Sequence, residues 1–209
     1  MPEEATDQPP SRQLSDPRQL RAITHPMRIR LLEELAFAGP ATATELAERV
    51  GESPANVSWH LRQLARYGFV EEAGGGKGRQ RPWRVVVQSN RWQDAEGDPE
   101  LTVAGHAASE FLLEHEVAEL RTWRAGGHRE PAAWRDASFV SQSFGWLTAE
   151  ELAAVSEEIY AIAVRTLDRV GDPALRPPGS RPVRLVAWGF PTRQAQPPVP
   201  ADEPSQGDQ

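Results

Sequence analysis

From Asp16 onward the apolar residues first recur at helical intervals and then alternate. Asp16-Pro17 opens one helix running toward Ile23, and His25-Pro26 opens another whose Met27, Ile29, Leu31, Leu32 and Leu35 form a scaffold side. Thr42 and Glu45 have the spacing of a capping box, Leu46 and Val50 make an i, i+4 pair, and Gly51 stops this third, short helix. Ser53 can accept from the first free amides of a new helix, with Pro54 at its first position. There Val57, Leu61 and Leu64 face inward, Asn56, Ser58, Trp59, Arg62, Gln63 and Arg66 point elsewhere, and Gly68 ends the helix. Phe69–Ala73, a Gly-rich basic tip from Gly74 to Arg81, and Trp83–Val87 then read as strand, turn and returning strand.

Beyond Trp92 the pattern changes scale. Pro99 to Trp123 carries Leu101, Ala104, Ala108, Phe111, Leu112, Leu120 and Trp123 over about seven helical turns. That is more than one small domain can cover, so it predicts a dimerisation helix packed on its symmetry mate. Thr148 and Glu151 form a second capping box stapled by Leu147 and Leu152, opening a helix to about Val170 with Leu152, Val155, Ile159, Ile162 and Leu167 as its buried stripe. Pro182–Trp188 reads as a short strand that needs a partner. Residues 1–13 and 190–209, rich in Pro, Gln and acid, are expected to be disordered tails. Residues 14–92 and 98–189 are the two structured parts.

The fold class expected is mainly α with a small β-hairpin wing (α+β): a winged helix-turn-helix followed by a helical dimerisation or effector region. His25-Pro26-Met27-Arg28-Ile29-Arg30-Leu31-Leu32, Thr44-Glu45-Leu46-Ala47 and Val57-Ser58-Trp59-His60-Leu61-Arg62-Gln63-Leu64 give residues 14–92 a resemblance to the ArsR-like family of bacterial transcriptional regulators. The resemblance implies a homodimeric repressor of double-stranded DNA. Its second reading-pair helix, about Pro54 to Arg66, would enter the major groove while the wing grips phosphate or the minor groove.

The residue chemistry agrees with that expectation. Ser53, Asn56, Ser58, Trp59, Arg62 and Gln63 lie on the outer face, with Asn suited to adenine and Arg to guanine edges. Lys77, Arg79 and Arg81 would hold phosphates. Thr42 and Thr44 are helix caps whose backbone amides also suit a phosphate. Some positions leave alternatives open: His60 either touches DNA or hydrogen-bonds inside the domain, Trp59 either meets a thymine methyl or packs on the neighbouring helix, and Arg62 and Arg66 either read DNA or form only a solvated face.

Charge sharpens the division. Leu14 to Trp92 holds 12 basic against 8 acidic residues, net +4, which leaves −11 for the rest of a chain of net −7. The basic part coincides with the expected DNA reader, and an acidic remainder would face away from the duplex. Lys77 is the sole lysine, so arginine abundance by itself carries no information.

Cysteine is absent, which excludes thiolate metal or redox sensing. No apolar run reaches membrane-spanning length and the first residues are acidic and polar, so a cytoplasmic location is expected. His106, Glu110, Glu114 and His115 raise a metal site, but His115 lies off the face of the others and solvated charge accounts for them better. Trp123, Trp134, Phe139, Phe144, Trp146, Tyr160 and Trp188 could line a pocket for a small organic ligand, or simply fill a core. The Gly-rich tip fails the phosphate-loop order, no acid, base and nucleophile converge, and neither an enzyme nor a cofactor is expected. The rival readings are a protein-interaction adaptor, which predicts salt-insensitive binding, and nonspecific architectural DNA binding, which predicts a steep salt dependence without sequence choice.

Overall fold

The computed structural model describes residues 11–74, 81–92 and 98–192. Four helices open it after a short strand β1 (Ser11–Gln13): α1 (Pro17–Ile23), α2 (Pro26–Ala38), α3 (Ala43–Val50) and α4 (Pro54–Arg66). Each begins on a side-chain acceptor. The Asp16 carboxylate accepts from the Arg18 amide, His25 Nδ1 from Met27, Thr42 Oγ1 from Glu45 and Ser53 Oγ from Asn56, which satisfies amides that the helices cannot. Gly51 closes α3 in the left-handed region at φ 71°.

The four helices bury one core. Leu14, Leu20, Leu31, Leu35, Leu46, Val57, Leu61, Leu64 and Val70 are fully enclosed. Burial of a Leu or Val side chain stabilises by about 1.5–3 kcal/mol relative to leaving it in water. Strands β2 (Val70–Glu72) and β3 (Trp83–Val85) pair antiparallel with Glu71 opposite Arg84. Ala41 bridges to Trp83 through two backbone bonds of 2.8 and 3.0 Å, tying the wing base to the entry of α3. The strands are shorter than the alternation predicts, and Lys77 and Arg79 lie outside the described residues.

The N-terminal tail expectation is corrected at its end. Ser11–Gln13 form β1, parallel to β4 (Ser89–Arg91), and the Arg12 guanidinium donates to Tyr67 O at 2.6 Å. It fills the space a side chain at residue 68 would occupy, 2.8 Å from that position, and Gly68 itself has φ +72°.

Helix α5 (Pro99–Gly126) buries Leu101, Ala104, Gly105 and Ala108 in its first turns, packed on α1, with Leu112 partly buried on the same core and His115 bonded to Glu33 of α2. Its distal part leaves Leu113, Leu120 and Trp123 exposed. After a 3₁₀ turn come α6 (Ala132–Ala137), α7 (Ala149–Val164) and α8 (Asp168–Gly171). Among the described residues none between 128 and 192 is buried.

Three further expectations change here. The helix from Thr148 stops at Val164 instead of Val170. The stripe read as buried is largely open, with Val155, Ile159 and Ile162 exposed, because none of the described residues covers that face. Pro182–Trp188 is extended but pairs with no strand among the described residues.

Candidate nucleic-acid interface

Helices α3 and α4, joined by Gly51-Glu52-Ser53, divide α4 into two faces. Val57, His60, Leu61 and Leu64 go inward, at i, i+3, i+4 and i+7. Ser53, Trp59 and Arg62 are exposed, and Asn56, Ser58 and Gln63 are half-buried beside them. The Arg62 guanidinium donates to Ser58 Oγ at 3.0 Å, and the Asn56 amide donates to Glu52 at 3.0 Å. These bonds hold two long polar groups in defined positions on the outer face. Trp59 is half exposed, with its inner edge T-shaped on the His60 ring at 4.8 Å, so it packs and still presents indole outward.

His60, left open by the sequence between DNA contact and the domain interior, lies on the inner side of α4. It is 5% accessible and its ring lies 4.7 Å from that of His25, on the core side of the helix. Desolvation, then the neighbouring His25 and Arg28, hold it below its ordinary pKa. His25 is lowered in the same direction by burial and Arg28, and its Nδ1 must stay unprotonated to cap α2.

Thr42 is occupied as a cap: its amide and hydroxyl both donate to the Glu45 carboxylate, at 2.7 and 2.8 Å, and its oxygen accepts from the Glu45 amide. Thr44 is exposed on the first turn of the same helix. In the wing, Arg81 is bonded to Glu72 at 2.6 Å while remaining solvent-exposed, and Arg84 pairs with Glu71. The described part of the wing is therefore charge-paired, a feature that the count of cations at its tip does not convey.

Sequence reasoning missed three arginines that set the frame. Arg12 donates to the carbonyl end of α4, Arg28 to Arg21 O at the end of α1 (2.9 Å), and Arg30 to Val50 O and Arg49 O at the end of α3 (2.9 and 3.3 Å). Each places a cation on carbonyls at the negative end of a helix, where it is stabilising. The signal available was the arginine spacing inside His25–Leu32, which reads equally well as a surface charge pattern.

The aromatic set does not enclose a pocket. Trp146 is 99% exposed and Phe139, Phe144 and Trp188 are also open. Trp123 is 41% accessible, Trp134 lies under Arg181, and Tyr160 lies under Arg91. His115, from the metal candidates, instead meets the Glu33 carboxylate at 2.7 Å. Among the described residues no group of three or more ligand side chains gathers, and no helix is long and apolar enough to cross a membrane.

Residues 23–73 match the family described as "Helix-turn-helix domain". A comparison with curated proteins gives no match. Solved structures with a likeness include the homodimeric winged helix-turn-helix DNA-binding domain Mb0332 of Mycobacterium bovis, a possible ArsR-family regulator (22% identity, 49% of this chain, 76% of that one, TM-score 0.31). Others are reduced HlyU of Vibrio cholerae (19%, 48% and 84%, TM-score 0.31) and Lactococcus lactis ZitR in complex with DNA (18%, 76% and 82%, TM-score 0.26). Residues 23–73 are thus similar to the family of helix-turn-helix domains.

Proposed function

We infer that this chain is a sequence-specific DNA-binding transcriptional regulator, a dimeric repressor whose release does not run through thiolate-bound metal. The observation that carries the reading is the outer face of α4. Arg62, braced on Ser58, stands beside Asn56 and a half-exposed Trp59, on a helix whose start is capped by Ser53 and whose end is held by Arg12. Arg and Asn at such positions read guanine and adenine edges, and a rigid frame lowers the cost of placing them. Arg62, Asn56, Ser58, Trp59 and Gln63 carry base contacts in this reading, while Lys77, Arg79 and the amide at Thr44 serve phosphates and Thr42, closed on Glu45, serves as the cap. The dimer reading draws on the apolar positions that α5 leaves uncovered past its docked turns, Leu113, Leu120 and Trp123.

The deciding experiment is selection of bound sequences from a random duplex library by the full-length protein at physiological salt. A two-fold symmetric motif with half-sites about one helical turn apart is expected. Binding with steep salt dependence but no motif would overturn sequence specificity, and no binding at all would overturn DNA as the partner.

A further inference from the structure

Val183, Arg184 and Leu185 lie extended over the place where α2 and α5 come together. Among the described residues no backbone hydrogen bond ties 182–190 to anything. Val183 and Leu185 are 61% and 57% exposed, so their apolar contact is partial. Arg184 is what holds the segment. Its guanidinium donates to Glu33 of α2 at 2.6 Å and to both carboxylate oxygens of Glu116 of α5 at 2.9 and 3.1 Å, with Glu119 at 3.8 Å. The Phe37 ring lies beneath it, 6.0 Å from centroid to guanidinium carbon.

Under this strap is an open cleft of about 500 Å³ whose floor and walls include Ile29, Leu32, Val85, Trp92 and Leu112. Gln88 and Asn90 stand at its rim. That volume suits a small organic molecule. The surroundings of Arg184 are acidic on balance: Glu33, Glu116 and Glu119 face its guanidinium, with His115 also on Glu33 at 2.7 Å, and Glu34 and Glu114 line the adjoining hollow together with Arg30. An anion is repelled there, while a cation is attracted to groups already held partly out of water. The chain's own occupant has the matching chemistry, one cationic group flanked by two apolar side chains.

We propose that this cleft binds an organic cation with an apolar body, which takes the place of Arg184 between Glu33 and Glu116 and lifts residues 182–186 away. The displaced length is short. Arg176 donates to Phe37 O at 2.8 Å and to Arg169 O at 2.8 Å, so the chain up to that residue stays fixed to the end of α2. The site stands independently of the DNA-binding reading.

The test uses two ions of the same shape and opposite charge, tetraphenylphosphonium and tetraphenylborate, titrated calorimetrically into the full-length protein without DNA. The phosphonium should bind and the borate should not. Arg184→Ala should tighten phosphonium binding, on the order of tenfold, because the competing strap is removed. Glu33→Gln with Glu116→Gln should weaken it. Tryptic cleavage after Arg184 in the unmodified protein gives a readout that needs no variant, and it should accelerate with the phosphonium alone. Equal binding of both ions, no phosphonium binding, unchanged affinity in Arg184→Ala, or a cleavage rate indifferent to the phosphonium would each overturn the proposal.

Discussion

The two halves of this chain use apolar residues in opposite ways. Up to Ala108 most of the large aliphatic side chains are enclosed, nine of them completely. From 128 onward no described residue is buried, although Phe139, Phe144, Trp146, Ile159, Ile162 and Trp188 are as apolar as anything in the first half. A monomeric soluble surface seldom exposes so much, and exposed apolar patches mark places where something else binds. The first half is therefore a unit whose structure is set within the chain. The second is a surface held on by a few arginines: Arg176 on α2, Arg184 on Glu33 and Glu116, and Arg91 on Glu157.

The largest effect separates the halves directly. Leu61→Ala removes a fully buried side chain from α4 and should cost about 2–5 kcal/mol in urea unfolding. Trp146→Ala, at a residue 99% exposed, should leave the unfolding free energy of the first half unchanged. A comparable loss from both would show the halves to be one cooperative unit. Next in size is Ile159→Asp, on the open face of α7. If a second copy covers that face, sedimentation should show the assembly shifted toward monomer, with Leu61-dependent unfolding untouched.

The same contrast explains what could be read without coordinates. The caps, the inward Val57, Leu61 and Leu64, and the box at Thr42 are local, since each depends on residues a turn or less apart. His60 was left open because its partner, His25, opens a different helix, and only tertiary packing brings the rings together. Arg12 was missed for a similar reason: Ser11-Arg12-Gln13 has no strand pattern of its own, and its pairing with β4 spans most of the winged-helix sequence. In α7 the period was legible and the burial was not. Periodicity reports that a helix has an apolar face, never what lies against it. At Pro182–Trp188 the alternation suggested a ladder, but the ion pairs of Arg184 decide where the segment lies.

A pH effect of intermediate size should also be confined to the first half. His25 and His60 are both held below their ordinary value of 6.5 by burial, with Arg28 acting on each. The folded state thus prefers both rings neutral, while the unfolded chain binds protons near 6.5. Stability from this pair is fully present above that pH and is lost as pH falls through it toward the lower folded values. Melting temperature should decline from pH 7 to pH 5, and His60→Leu should flatten the decline. The lowered carboxylates of Asp16 and Glu45 act only in a more acidic window, below their ordinary values of 3.8 and 4.5. A wild-type profile that is flat between pH 7 and 5 would mean that the two rings do not carry this linkage.

The smallest predicted effect uses a motif that both halves share. Thr42 and Thr148 each accept the amide of the glutamate three residues on, at 3.3 and 3.2 Å, and each glutamate reaches back to the threonine amide at 2.7 Å. The local chemistry is the same, so Thr→Ala should cost each helix about 1 kcal/mol. What differs is where that loss appears. Helix α3 buries Leu46, Ala47 and Val50 in the core, so Thr42→Ala should lower the global unfolding free energy by that amount. Helix α7 buries nothing within the protomer, so Thr148→Ala should leave global unfolding unchanged and speed amide exchange only in the first turns after residue 148. If Thr148→Ala lowers global stability as much as Thr42→Ala, α7 is coupled to the core through contacts made only in the assembled protein, and the boundary between the halves lies further along the chain.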